Sequence, residues 1–173
     1  MQTRHLYSNI NAYICGMKAK KLEIKYEIRS IDELGAEDRK LVDAAIEATQ
    51  RSYAPYSRFH VGAAALLEND VIVTGTNQEN VASPSGICAE RTTLFYANSQ
   101  YPDTPVKALA IAGISEKDGM NRTPLSPCGA CRQVMLETEN RYATPMRVLL
   151  CGKEEVYIVE SAKDLLPFAF DHY

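Results

Sequence analysis

Two short segments of this chain, Cys88-Ala89-Glu90 and Pro127-Cys128-Gly129-Ala130-Cys131, combine thiols and a carboxyl at spacings suited to metal chemistry. Cysteines three apart at a helix N-terminus present both sulfurs to one ligand, and a third thiolate from a second helix supplies another corner of a tetrahedron. The fourth corner then stays open to water, which separates a catalytic zinc site from a structural one. Glu90, two residues from Cys88, is the candidate acid and base. A structural zinc would need a fourth protein ligand. Neither Cys151, on an expected strand end, nor His60, at the start of another strand, has an evident claim to that place. His5 and His172 lie close to the termini and lack supporting spacing. A redox pair at Cys128 and Cys131 would leave Cys88 and Glu90 without a role.

Composition bounds the partners. A length of 173 residues suits one domain. With 19 Lys and Arg against 22 Asp and Glu, the net charge of -3 provides no broad cationic field for a phosphate backbone, so long nucleic acid is not an expected partner. Five cysteines, an odd count with one Cys-x-x-Cys pair, suit metal ligation better than an extracellular disulfide framework. No run of about 18 apolar residues or secretion-signal pattern occurs, and a cytoplasmic protein without a membrane partner is expected. Residues 1–16 lack periodicity and give way abruptly to MKAKKLEIKYEI. The expected organisation is an N-terminal extension over 1–16, genuine or from an upstream start choice, followed by one domain over 17–173. Cys15 falls in that extension and takes no catalytic role.

The cysteines need elements that bring them together. Leu22, Ile24, Tyr26 and Ile28 alternate with charged residues, the period of a half-buried strand, with an edge strand as one reading. Leu41, Val42, Ala45, Ile46 and Thr49 recur at helical spacing over about 36–53, and Pro55 should stop that helix near Ala54. Val61–Leu67 and Val71–Thr76, separated by Glu68-Asn69-Asp70, read as a hairpin, with Gly62 allowing close approach of another backbone or a ligand. A polar loop over 77–86 precedes a helix from Cys88 to Asn98. Val106–Gly113 is a nearly continuous apolar run, as a central strand requires. A loop over 114–127 leads to a helix over 128–138, strands over 146–150 and 155–159, and a short helix from Ser161 that Pro167 ends or bends. The order is α/β and predicts a three-layer α/β/α sandwich around a central mixed sheet.

Four blocks, YAPYSRFHVGAAALL at 53–67, GTNQEN at 75–80, ICAERTTLF at 87–95 and PCGACRQVMLE at 127–137, make the chain resemble the small, homotetrameric cytidine deaminases. The resemblance implies hydrolytic, zinc-dependent deamination of free cytidine and deoxycytidine to uridine and deoxyuridine, with release of ammonia, in pyrimidine salvage. It places one Zn2+ per chain on Cys88, Cys128 and Cys131, and makes Glu90 the proton shuttle. Asn77 and Glu79 match the pair that holds the ribose hydroxyls. Phe59 matches an aromatic beside the pyrimidine, and Phe170 one that closes a neighbouring subunit's pocket. Three thiolates leave zinc with a net charge of -1, which would blunt its acidifying effect on water. The two helix N-termini and the cations Arg91 and Arg132 are the candidate offsets, with Arg91 favoured by the resemblance. Residues 81–86 depart from the family pattern, which often carries an aromatic there, and Phe168 adds bulk before Phe170.

Overall fold

Alternation along one strand separates the layers of this protein. The computed structural model describes residues 20–171; Met17, Cys15, His5 and His172 lie outside that range. In β2 (Phe59–Leu67), Ala64 and Leu66 face one apolar cluster with Leu41, Val42 and Ala45 of α1 (Ala36–Ala48). Ala63, Ala65 and Leu67 face the opposite cluster, shared with Leu94 of α2 (Ala89–Gln100) and Met135 of α3 (Gly129–Tyr142). A strand whose residues point alternately to both faces can bury all of them only when helices cover both.

The remaining strands are β1 (Glu27–Ser30), β3 (Ile72–Thr76), β4 (Val106–Ser115), β5 (Gly119–Met120), β6 (Arg147–Cys151) and β7 (Glu155–Val159). Their order is β1-β7-β6-β4-β2-β3, with β5 paired to the end of β4. The sheet is mixed because β4 and β6 run parallel while the other pairs are antiparallel. That parallel step needs a crossover, which α3 supplies. Leu109 and Ile111 of β4 are fully buried, each side chain contributing about 1.5–3 kcal/mol of burial. The expected sandwich, hairpin and central strand are all present. Asp70 takes the left-handed conformation in the hairpin turn, φ 64°, which a short polar side chain tolerates.

Gly62 resolves its two alternatives in favour of a backbone. A Cβ there would stand 2.2 Å from the Ala45 carbonyl oxygen and 2.7 Å from the Thr49 nitrogen, so α1 rests directly on β2.

Several boundaries differ from the sequence pattern. The strand expected over 22–28 begins only at Glu27, and Leu22, Ile24, Tyr26 and Ile28 are exposed rather than half-buried. β1 is the edge strand beyond β7, whereas α1 packs over β2, β3 and β4, so no helix among the described residues covers the stripe. Helix α1 ends at Ala48 and tightens into a 3-10 turn over Thr49–Arg51, where the Thr49 hydroxyl donates to the Ile46 carbonyl at 2.7 Å. Helix α3 runs past the expected Thr138 to Tyr142, its last turn held by Arg141 and Tyr142 donating to the Pro102 carbonyl. β5 appears inside the expected 114–127 loop, and the C-terminal helix is a four-residue 3-10 turn, Ala162–Leu165. No helix among the described residues is long and apolar enough to cross a membrane.

Candidate metal centre and substrate cavity

Both cysteine-bearing segments begin helices. Cys88 is the N-cap of α2 and Cys128 the N-cap of α3, each in extended backbone, and each accepts the first bond of its helix from the amide four residues on. The two positive helix ends therefore meet at the sulfurs, where they favour thiolate. Cys131, one turn into α3, is buried below them. The Cys88 and Cys128 sulfurs are 3.9 Å apart and those of Cys128 and Cys131 3.4 Å apart, with all three within 4.8 Å of one another. Zinc–sulfur bonds of 2.3 Å in a tetrahedron put sulfurs roughly 3.8 Å apart, so this donor set fits a zinc ion.

The electrostatics agree. The neighbouring Cys131 thiol, with Arg91 and Cys128, draws the Cys88 thiol down to about 5 against the opposing effect of burial. Cys131 moves the other way, held protonated by the adjacent Cys88 sulfur and by burial. One thiolate thus already forms before three are needed, and metal would take the protons of the others. Arg91 Nη2 approaches the Cys88 sulfur at 3.8 Å, while its Nε is buried without a partner. That desolvated donor favours further negative charge on the cluster. Arg132 acts elsewhere: Nε donates to the Pro127 carbonyl at 2.9 Å and Nη1 to the Leu165 carbonyl at 2.8 Å. It braces the peptide preceding Cys128 against the C-terminal turn instead of contacting sulfur.

A cavity of about 700 Å3 opens beside the cysteines, lined by Phe59, Asn77, Glu79 and Glu90 among others. Glu90 is only 5% exposed, and burial followed by the Cys88 thiolate raises its carboxyl above the usual range. A carboxyl whose hold on its proton is strengthened in this way is suited to taking and returning one. The Phe59 ring packs over Gly113, where a Cβ would come within 2.7 Å of Cζ. Asn77 accepts from the Val61 amide at 2.8 Å and donates to the Phe59 carbonyl at 2.9 Å, fixing the start of β2 at the cavity. Glu79 Oε2 accepts from the Tyr56 and Ser57 amides at 2.9 and 3.2 Å, leaving acceptor capacity on Oε1. The Ser57 side chain and the Tyr56 amide hold its carboxyl below the usual range.

Phe170 is not part of the cavity wall. It is 69% exposed, with its carbonyl accepting from Gln133 Nε2 at 2.7 Å. Leu125 and Ser126 do line the cavity but carried no sequence signal beyond standing just before Pro127-Cys128. Val81, 84% exposed, and Ser83 form part of the divergent wall at 81–86. Cys151 is buried, its thiol pushed up to about 12 by desolvation, and belongs to the α1-side core.

Three thiols and a buried carboxyl on an α/β/α frame define the class of zinc-binding hydrolases acting through water. The narrower grouping follows from likeness to known proteins. Residues 36–144 match the family model described as the cytidine and deoxycytidylate deaminase zinc-binding region. Cytidine deaminase of Sporosarcina psychrophila is 45% identical over 131 residues, 76% of this chain and 89% of that protein. The crystal structure of cytidine deaminase from Burkholderia pseudomallei matches with a TM-score of 0.65 and 39% identity, covering 76% of this chain and 97% of that one. The Mycobacterium tuberculosis cytidine deaminase structure gives 0.61 and 33%, over 80% and 100% of the two chains. The chain belongs to the cytidine deaminase family, whose zinc-binding region it carries.

Proposed function

We propose that this protein hydrolyses the exocyclic amine of cytidine and deoxycytidine, giving uridine and deoxyuridine plus ammonia. The observation that carries the reading is Glu90, a buried carboxyl with a raised pKa, set beside three clustered cysteines on the wall of one cavity. Zinc held by Cys88, Cys128 and Cys131 would supply the Lewis acidity that makes water nucleophilic near neutral pH.

The chain's own groups do the rest. Glu90 takes a proton from the attacking water, delivers it to the ring nitrogen N3 as oxygen bonds to C4, and then relays a second proton to the amine as the carbon–nitrogen bond breaks. Arg91 steadies the Cys88 sulfur. Phe59 packs against the flat base, and Asn77 and Glu79 bind the ribose hydroxyls. Ionised Glu79 is an acceptor for hydroxyl hydrogens, and Asn77 retains one amide hydrogen beyond its bond to Phe59.

Family likeness, together with exposed Phe95, Tyr96 and Phe170, supports a homotetramer in which Phe170 reaches the neighbouring subunit's pocket. A cytoplasmic place in pyrimidine salvage accords with four described cysteines that are all free.

The decisive assay incubates purified protein with cytidine, deoxycytidine, cytosine, adenosine and a cytosine-containing oligonucleotide and measures product and ammonia. Both nucleosides should turn over with stoichiometric ammonia, while free cytosine, unable to reach Asn77 and Glu79, should be poor. Turnover confined to the oligonucleotide would defeat the free-nucleoside reading. Light scattering that found an active monomer would defeat the tetramer.

A further inference from the structure

A second polar cluster lies beside the cavity. His60 Nδ1 is 2.5 Å from Ser52 Oγ, and Nε2 is 3.3 Å from Glu116 Oε1. Glu116 in turn places Oε2 4.0 Å from Arg58 Nε, and its amide donates to the Arg58 carbonyl at 3.2 Å. Ser52 and Arg58 are the two ends of one segment. Between them, the Tyr56 and Ser57 amides hold Glu79 Oε2. Arg58 sits at φ 54°, a left-handed conformation that is uncommon for a residue other than glycine.

We propose that His60 is a positioning residue for nucleoside binding: by joining Ser52 to Glu116 it sets the shape of segment 52–58, and through the Tyr56 and Ser57 amides it aims Glu79. The inference rests on the reading of Glu79 as a ribose contact. Several facts carry it. Both ring nitrogens are engaged, so the imidazole spans two segments far apart in sequence instead of filling a space. His60 precedes Val61 and Gly62 on β2, and Gly62 lies hard against α1, which anchors the strand end from which His60 reaches. The His60 side chain is 26% exposed and its bond to Ser52 is partly buried, so that end is worth more than a surface contact, while the Glu116 end lies at the surface. Of the two carboxyls on the cavity wall, Glu79 is the one whose geometry depends on this segment, whereas Glu90 is carried by α2.

The test compares zinc-loaded wild type, His60→Ala, His60→Gln, Ser52→Ala and Glu116→Gln on cytidine and on 2',3'-dideoxycytidine, which lacks both ribose hydroxyls. Zinc content is measured for each, with Glu79→Gln as reference. For His60→Ala the KM for cytidine should rise about 3- to 10-fold, the loss of one sheltered hydrogen-bond bridge, while kcat stays within about twofold. The kcat/KM for dideoxycytidine should change less than about twofold, and His60→Gln, which retains an amide near Nε2, should recover part of the loss. Ser52→Ala and Glu116→Gln each weaken one end and should reproduce the same pattern more mildly, which keeps the test open if His60→Ala folds poorly. Equal losses on both substrates, or loss of zinc, would reduce His60 to an ordinary structural residue. A KM effect in Glu79→Gln with none in the His60, Ser52 and Glu116 variants would overturn the positioning role alone. A Glu79→Gln enzyme with unchanged KM would overturn it together with the ribose contact beneath it.

Discussion

Replacing Glu90 by glutamine separates catalysis from architecture. Glutamine keeps the shape of the side chain in the first turn of α2 and removes the ionisable oxygen. The cavity wall holds one other carboxyl, Glu79, and it is tied to the Tyr56 and Ser57 amides, so no substitute proton carrier stands by. The full loss of a positioned acid and base should therefore appear: about 100- to 10,000-fold in kcat, equivalent to about 2.7–5.5 kcal/mol of transition-state stabilisation. Stability should move the opposite way. Burial raises the folded-state pKa of Glu90 above its reference value of 4.5, so the stability conferred by the protonated group is lost as pH rises through the folded value. Where the carboxyl is ionised, the neutral glutamine escapes that penalty, and its Tm there should equal or exceed that of wild type. The assay is ammonia release at saturating cytidine, with zinc by elemental analysis and Tm by calorimetry on the same preparations. A zinc-loaded glutamine variant working within about tenfold of wild type would remove Glu90 from the chemistry. A variant that lost zinc and Tm together would show that the carboxyl holds the site instead of moving protons.

Elemental analysis of protein purified without added metal should find one zinc per chain, and Cys128→Ser or Cys131→Ser should lower metal and activity together; retention of both in either variant would misassign the ligands. Gly62→Ala should cost about 1–3 kcal/mol, because its Cβ would meet the backbone of α1 at 2.2 Å, and an unchanged Tm would show that the helix can shift. A carbon-13 titration should place Glu79 below its reference 4.5, so that its carboxylate stays ionised as pH falls through the range where an ordinary glutamate protonates; a midpoint above 4.5 would contradict the bonds from Tyr56 and Ser57.

The metal-binding segments were legible in the sequence because their meaning is local. Cysteine at an N-cap and again one turn on is a statement about a single helix start, and Pro127 marks where that helix begins. The apolar run of β4 and the helical period of α1 were legible for the same reason: periodicity states which faces shed water. The blocks around Asn77, Glu79 and Phe59 took on function from family resemblance, since an amide, a carboxylate and a ring in a polar loop otherwise suit a turn.

Tertiary structure decided what meets each face. The alternating stripe from Leu22 to Ile28 has the pattern of a half-buried strand, yet only its end joins the sheet, as edge strand β1 beyond the reach of α1, and its apolar residues stay exposed. Arg132 was a candidate cation for the sulfurs, but the carbonyls of Pro127 and Leu165, separated from each other by all of α3 and two strands, claim its guanidinium. The joining of Ser52, His60 and Glu116 depends on the β2–β4 pairing, which brings His60 opposite Ile114. The sequence alone determined the kinds of atom available for catalysis and the helix starts that present them. Only packing brought Cys88 within 3.9 Å of Cys128, because α2 and α3 pack side by side on one face of the shared sheet.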